Sequence, residues 1–165
     1  MTSAIKDEIA PYVTREGNTY VLRSRQRFSG SPEEIFLFFS DATNLELITP
    51  DSIMFKIVTP LPIDMHEGTL IDYSLRIRGI RVKWKTRISE WNPPFRFVDE
   101  QLKGPYRQWI HEHKFTNEGS TTLMEDTVRY KVYGGALINT LFVQPDLMKI
   151  FTNRVKILRE HFPLD

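Results

Sequence analysis

The chain has 165 residues, 41% of them hydrophobic and 26% charged, with a formal net charge of +1 and no cysteine. That length and composition suit one globular domain around one core, and near neutrality argues against nucleic acid held by whole-molecule attraction. Without cysteine there is no disulfide frame, thiolate nucleophile or zinc–cysteine site, which fits the cytoplasm.

Residues 1–18 mix Lys6, Asp7, Glu8, Arg15 and Glu16 with few apolar side chains. They read as a loosely attached arm with a helical turn before Pro11, and as neither a signal peptide nor a membrane span. The rest, 19–165, reads as one domain. Residues 19–28 have strand composition, with Tyr20, Leu22 and Phe28 on one face and Arg23, Arg25 and Arg27 on the other. Ser31, Pro32 and Glu34 form a capping box that opens a helix carrying Ile35, Phe36, Phe38 and Phe39. A second short helix, 42–48, starts at Asp41 and stops before Pro50.

Six strands follow, at 53–59, 69–77, 80–90, 95–102, 106–116 and 121–132. The third of these alternates most cleanly: Ile80, Val82, Trp84, Thr86 and Ile88 point one way, Arg81, Lys83, Lys85 and Arg87 the other. The last element is an amphipathic helix over 136–162 with an apolar stripe of Leu137, Leu141, Met148, Phe151, Val155, Leu158 and Phe162. Arg154, Lys156 and Arg159 suit the negative end of its dipole, and Pro145 predicts a kink or a break near Gln144.

Short connections set the expected registers, because neighbouring strands must put their apolar sets on one face. An Arg78-Gly79 turn pairs Tyr73 with Trp84. A four-residue loop at 91–94 pairs Ile88 with Phe97, and a three-residue loop at 103–105 pairs Asp99 with Trp109 and Phe97 with His111. A four-residue loop at 117–120 pairs His111 with Asp126. On the outer face these registers match Lys85 with Glu100 and Arg96 with Glu112, but oppose Glu112 to Glu125.

Strand, two helices, six strands and a long helix is the order of an α+β helix-grip fold: an antiparallel sheet of about seven strands curved around a C-terminal helix, with a cavity between them. Over residues 91–130 the runs Trp91-Asn-Pro-Pro-Phe-Arg-Phe-Val-Asp99, Arg107-Gln-Trp109-Ile-His111-Glu-His113 and Thr122-Leu-Met-Glu-Asp126-Thr-Val-Arg-Tyr130 resemble a bacterial cyclase/dehydrase-like, ligand-binding branch of the START-like, or SRPBCC, superfamily. The resemblance spans roughly 19–162. It implies the fold and leaves the activity open, since the superfamily includes lipid carriers, receptors, aromatase/cyclases and oxygenase domains.

The face turned to the helix then carries Tyr73, Trp84, Phe97, Trp109, Met124, Val128 and Tyr130, with Thr86, Asp99, Arg107, His111, His113 and Asp126 among them. From the helix, Met148, Phe151 and Val155 complete a ligand-binding set that is mostly apolar with a few placed polar groups. His111 with Asp126 is a candidate general base, for which Arg107 or Tyr130 would polarise a substrate oxygen. His111 and His113 face the same way, and Asp126 offers a third ligand, yet no fourth is implied, so no metal is assigned. No phosphate loop, nucleophile elbow or dinucleotide fingerprint occurs, and no cofactor is implied.

Outside, Arg76, Arg78, Arg81, Lys83, Lys85 and Arg87 share the wet face of one hairpin, a surface suited to an anionic membrane or an acidic protein. The favoured function is binding, including transport, of a small hydrophobic molecule such as a lipid, isoprenoid or polyketide. A cyclase, aromatase or dehydratase using His111, and a docking module using the basic hairpin, stand as alternatives.

Overall fold

The structure is a computed structural model, and it describes residues 8–164. Eight strands form one antiparallel sheet: β1 (Ile9–Glu16), β2 (Thr19–Ser29), β3 (Lys56–Ile57), β4 (Leu70–Ile77), β5 (Ile80–Asn92), β6 (Arg96–Lys103), β7 (Gln108–Asn117) and β8 (Thr121–Lys131). Their spatial order is β1-β2-β8-β7-β6-β5-β4-β3. Between β2 and β3 come the helices α1 (Pro32–Ser40) and α2 (Asn44–Leu47), and after β8 come α3 (Gly135–Ile138) and the long α4 (Gln144–His161). The curved sheet wraps the terminal helix, which is the helix-grip arrangement expected from the sequence.

The eighth strand comes from the segment read as a loose arm. Ile9–Glu16 pairs with β2 along its length, and the ladder is irregular between Ile9 and Tyr12, where Pro11 sits. An edge strand tolerates proline at such a bulge, because no ladder bond is asked of it there. The part of the arm reading that falls on residues 1–7 lies outside the described residues.

The capping box forms as the sequence dictates: Ser31 Oγ accepts from Glu34 N, and Ser31 N donates to the Glu34 carboxylate. The second helix is shorter than expected, because Asp41 Oδ1 accepts from both Thr43 N and Thr43 Oγ1 in a turn that delays it. The expected strand at 53–59 shrinks to β3. Asp51–Ile53 is a tight 3₁₀ turn, and Met54 after it is left-handed, at φ 47°.

The hairpin between β4 and β5 has the expected register, Tyr73 opposite Trp84 and Arg76 opposite Arg81. Its turn residues Arg78 and Gly79 both have positive φ, the geometry that matches strand twist in a two-residue hairpin. The three later registers differ by two residues. Strand β5 runs on to Asn92, with irregularities after Lys85 and Ile88, so that Ile88 faces Asp99 and Trp91 faces Phe97. Asp99 then lies opposite His111 and Phe97 opposite His113. Across the next hairpin His111 is opposite Val128 and His113 opposite Asp126. A two-residue slip keeps side chains on their faces, and the irregularities in β5 absorb the one extra residue at either end of its ladder with β6. The slip also replaces the unfavourable Glu112–Glu125 opposition with Lys114 opposite Glu125, an ion pair at 3.4 Å, and moves the partner of Glu100 from Lys85 to Arg87.

Proline 145 does not break the last helix. The chain is helical from 135 to 161, with a π-helical segment at Asn139–Val143 that ends just before Pro145, placing the ring in the first turn of α4 where its missing N–H costs little. The buried face of α4 is Leu147, Phe151, Arg154 and Leu158. Leu137 and Leu141, expected to begin the apolar stripe, are exposed.

Helix α4 lies over the β2–β8 side of the sheet: Gln26 Nε2 donates to the Val155 carbonyl and Arg159 to the Arg27 carbonyl. At one end Phe28, Phe36, Phe115, Met124 and Leu158 close a full core. Towards β4–β6 the helix stands off from the sheet.

Candidate functional site

That stand-off leaves a cavity of about 200 Å³ between β4–β7 and α4, with α1 and α2 across its end. A water-sized sphere occupies roughly 10–15 Å³ of such space, so there is room for a molecule of roughly ten to twenty heavy atoms. The sheet wall is Ile71, Tyr73, Leu75 and Ile77 of β4, Trp84, Thr86 and Ile88 of β5, Phe97 and Asp99 of β6, and Trp109, His111 and His113 of β7. Leu147, Ile150, Phe151 and Arg154 come from α4, while Phe38, Phe39, Ala42, Leu45 and Ile48 come from α1, α2 and their flanks. Exposed Asp41 and half-buried Asn44, Thr49 and Met65 also border it.

Aromatic rings stiffen this wall. Trp84 meets Trp109 edge-on at 5.4 Å between centroids and Tyr106 at 5.5 Å. Trp84 Nε1 donates to Thr86 Oγ1, so the indole N–H is satisfied without a ligand. Burial, and then the Asp99 charge, push the Tyr73 hydroxyl far above its ordinary range, which keeps it neutral.

The histidines and their acidic partners gather on β6–β8. His111 Nε2 donates to Asp126 Oδ1 at 2.9 Å, and His113 Nε2 donates to Asp99 Oδ2 at 3.1 Å. His113 Nδ1 stands 3.0 Å from Asp126 Oδ1 but without the alignment of a hydrogen bond. Behind them Arg154 Nε lies 3.7 Å from Asp126 Oδ2, unbonded, and the guanidinium rests over the rings of Phe39 and Phe151. His111, His113, Asp126 and Arg154 are all buried, each at most 6% exposed.

Electrostatics assigns their states. Burial raises the Asp126 carboxyl, but the Arg154 charge and the bonds from both histidines outweigh it and hold the group well below the usual carboxylate range. Burial, helped by the neighbouring His113 charge, lowers His111 despite Asp126. His113 is also disfavoured by burial, yet its contacts with Asp126 and Asp99 win and raise it.

Of the side chains expected at the site, Tyr73, Trp84, Thr86, Phe97, Asp99, Trp109, His111, His113 and Phe151 border the cavity. Asp126 lies one layer behind the histidines. Arg107 is a correction: it is exposed in the loop before β7, away from any interior oxygen. Met124, Val128 and Tyr130 do not line the cavity, because α4 packs directly over β8; Met148 packs on that filled side, and Val155 does not line the cavity either. The Tyr130 hydroxyl is buried with no hydrogen bond, and burial pushes it up to about 12.

The sequence reading missed Arg154, Leu147 and Ile150. Residues 147, 151, 154 and 158 follow the helical rhythm, so the signal was present; a charged residue on that face was assigned to the dipole instead.

The basic hairpin is partly neutralised. Arg78 forms a two-bonded pair with Asp146 of α4 and lies over the Phe142 ring, Lys85 pairs with Asp72, and Arg87 with Glu100. No helix among the described residues is long and apolar enough to cross a membrane.

No protein-family model matches this chain, and no curated protein matches it by sequence. Solved structures do. Protein Ms6760 from Mycobacterium smegmatis is 15% identical, with a TM-score of 0.65 over 91% of this chain and 95% of that one. TTHA0849 from Thermus thermophilus is 19% identical, with a TM-score of 0.68 over 85% and 94%. Ginseng major latex-like protein 151 from Panax ginseng is 12% identical, with a TM-score of 0.65 over 90% and 100%. At such identities the likeness is one of fold. It is the helix-grip fold, an antiparallel sheet curved around a long C-terminal helix.

Proposed function

We propose that the protein binds, and carries, a small and largely apolar molecule with one polar end, held between β4–β7 and α4. The observation that carries this reading is the make-up of the cavity wall: mostly aliphatic and aromatic, with Asp99, His111 and His113 together on the neighbouring strands β6 and β7. An apolar body with one oriented polar group is the ligand such a wall selects. The volume favours a short isoprenoid or an aromatic polyketide fragment over a long acyl chain.

Binding is favoured over cyclase or dehydratase chemistry because the groups assigned to polarise a substrate oxygen do not converge. Arg107 is in solvent and Tyr130 is under α4. Cytoplasmic residence and docking through Arg76, Arg81 and Lys83 belong to the same proposal: a carrier that meets an anionic surface would exchange its cargo there.

A naphthalene-based probe, 1-anilinonaphthalene-8-sulfonate, tests it. Saturable binding should quench Trp84 and Trp109 and enhance the probe's emission. Ile150→Trp, which fills the cavity from a half-buried position, should abolish binding while leaving thermal unfolding in place. Equal binding by this variant, or none by the parent protein, would overturn the reading.

A further inference from the structure

We propose that Asp99, His111 and His113 are the ligands of a divalent first-row transition-metal ion, with Asp126 as the outer carboxylate that orients both imidazoles. The sequence placed Asp126 in the ligand set. The register instead puts Asp99 directly opposite His111 on the cavity side and leaves Asp126 behind the rings.

The near atoms have the right spacing. One ligand atom from each of the three residues lies within 4.8 Å of the others. Asp99 Oδ2 is 3.1 Å from His113 Nε2 and 3.7 Å from His111 Nδ1. An ion with nitrogen and oxygen ligands at about 2.0–2.2 Å separates those ligands by roughly 3.0–3.5 Å. The Asp99–His113 distance falls in that range and the Asp99–His111 distance just above it, and side-chain rotation would close the third.

The far atoms supply an independent argument. His111 Nε2 and His113 Nδ1 lie 2.9 and 3.0 Å from the same oxygen, Asp126 Oδ1. Metal-bound histidines characteristically give their second N–H to a carboxylate, which fixes the tautomer and turns the lone pair to the ion. Here one carboxylate already does this for His111 and lies within reach of His113 Nδ1, and Arg154 beside its other oxygen offsets its charge.

The metal-free arrangement has a mismatch that a cation removes. A proton on His111 Nε2 leaves Nδ1 as a lone pair facing the Asp99 carboxylate, two electron-rich atoms 3.7 Å apart in a buried wall. Imidazole donors favour zinc, ferrous iron or cobalt over calcium and magnesium. Three protein ligands leave the remaining positions open to the cavity, the pattern of a working site rather than a structural one. Those positions would take water or a carboxylate or hydroxyketone oxygen of a bound molecule. The nearby guanidinium limits the affinity to less than that of a closed structural zinc site.

The site shares a wall with the binding proposed above but does not rest on it, since it is read with the metal alone. The full-length protein, freed of metal with a chelator, should bind cobalt(II) with 1:1 stoichiometry and visible d–d bands, and zinc should displace it. His113→Ala and Asp99→Asn should each weaken zinc binding by more than the about 10–100-fold expected of Asp126→Asn. Circular dichroism checks the fold of each variant, and His66→Ala should change nothing. Absent d–d bands, equal affinity in the folded Asp99→Asn protein, or calcium binding as well as zinc would overturn the assignment. Probe binding by metal-free protein would persist in each of those cases, so the two proposals fail separately.

Discussion

The two ends of the space under α4 are built from the same kinds of residue and do opposite things. At the Leu158 end, Phe28, Phe36, Phe115 and Met124 fill the gap between helix and sheet. At the Phe151 end, Trp84, Trp109 and Tyr73 are no smaller, yet they leave a cavity. The difference lies in where the helix sits. It follows β2 and β8, so the sheet that curves beyond β7 has no helix to pack against, and side chains on β4–β6 brace one another instead. Between the ends stand Phe39, Phe97 and Ile48, which belong to both.

Removing packing from the filled end should hurt stability most. Phe115→Ala should cost about 3–5 kcal/mol in denaturant unfolding, the cost of deleting a ring from a closed core. Arg154→Met should cost a similar about 3–5 kcal/mol at neutral pH, because it strands the buried Asp126 carboxylate. Adding Asp126→Asn to Arg154→Met should recover part of that loss. If the double variant is no more stable than the single one, Arg154 acts through packing alone.

At the hollow end the same kind of truncation should separate binding from stability. Trp84→Ala should cost no more than about 2 kcal/mol, since the ring already borders open space, while weakening probe binding at least about tenfold, roughly 1.4 kcal/mol. Equal stability losses for Trp84→Ala and Phe115→Ala would erase the contrast between the ends.

The smallest effect is electrostatic and falls at the filled end, where Arg27 of β2 donates to Glu118 after β7. That bond lowers the Glu118 carboxyl below its ordinary 4.5. A lowered carboxylate contributes stability that is fully present above 4.5 and lost as pH falls through the folded-state value. Glu118→Gln should therefore cost about 0.5–1 kcal/mol near neutrality, and its stability difference from the parent should vanish in acid. A difference that grows in acid would contradict the pairing.

Much of this contrast was legible in the sequence. The Arg78-Gly79 turn fixed one hairpin register, and period-two alternation sorted inner from outer residues on all later strands. Loop lengths were not legible to the residue: β5 continues through Trp91 and Asn92, and the three registers after the first hairpin slipped. Faces survived that slip, so the wall was recognised while its pairings were not. The warning was Glu112 opposite Glu125, a like-charge pair that the true register dissolves. What no strand pattern reveals is where the helix lies along the sheet. That placement decided which aromatic residues became core and which became cavity, and hid the role of Arg154. Pro11, expected to follow a helical turn in a loose arm, sits at a bulge in an edge strand.

Native mass spectrometry of the protein taken directly from its source cells tests the cavity claim most directly. The account predicts a retained small molecule of roughly 150–300 Da, the size the cavity admits, which is absent from Ile150→Trp isolated in the same way. A bare polypeptide mass from both proteins, together with no probe binding by either, would contradict it.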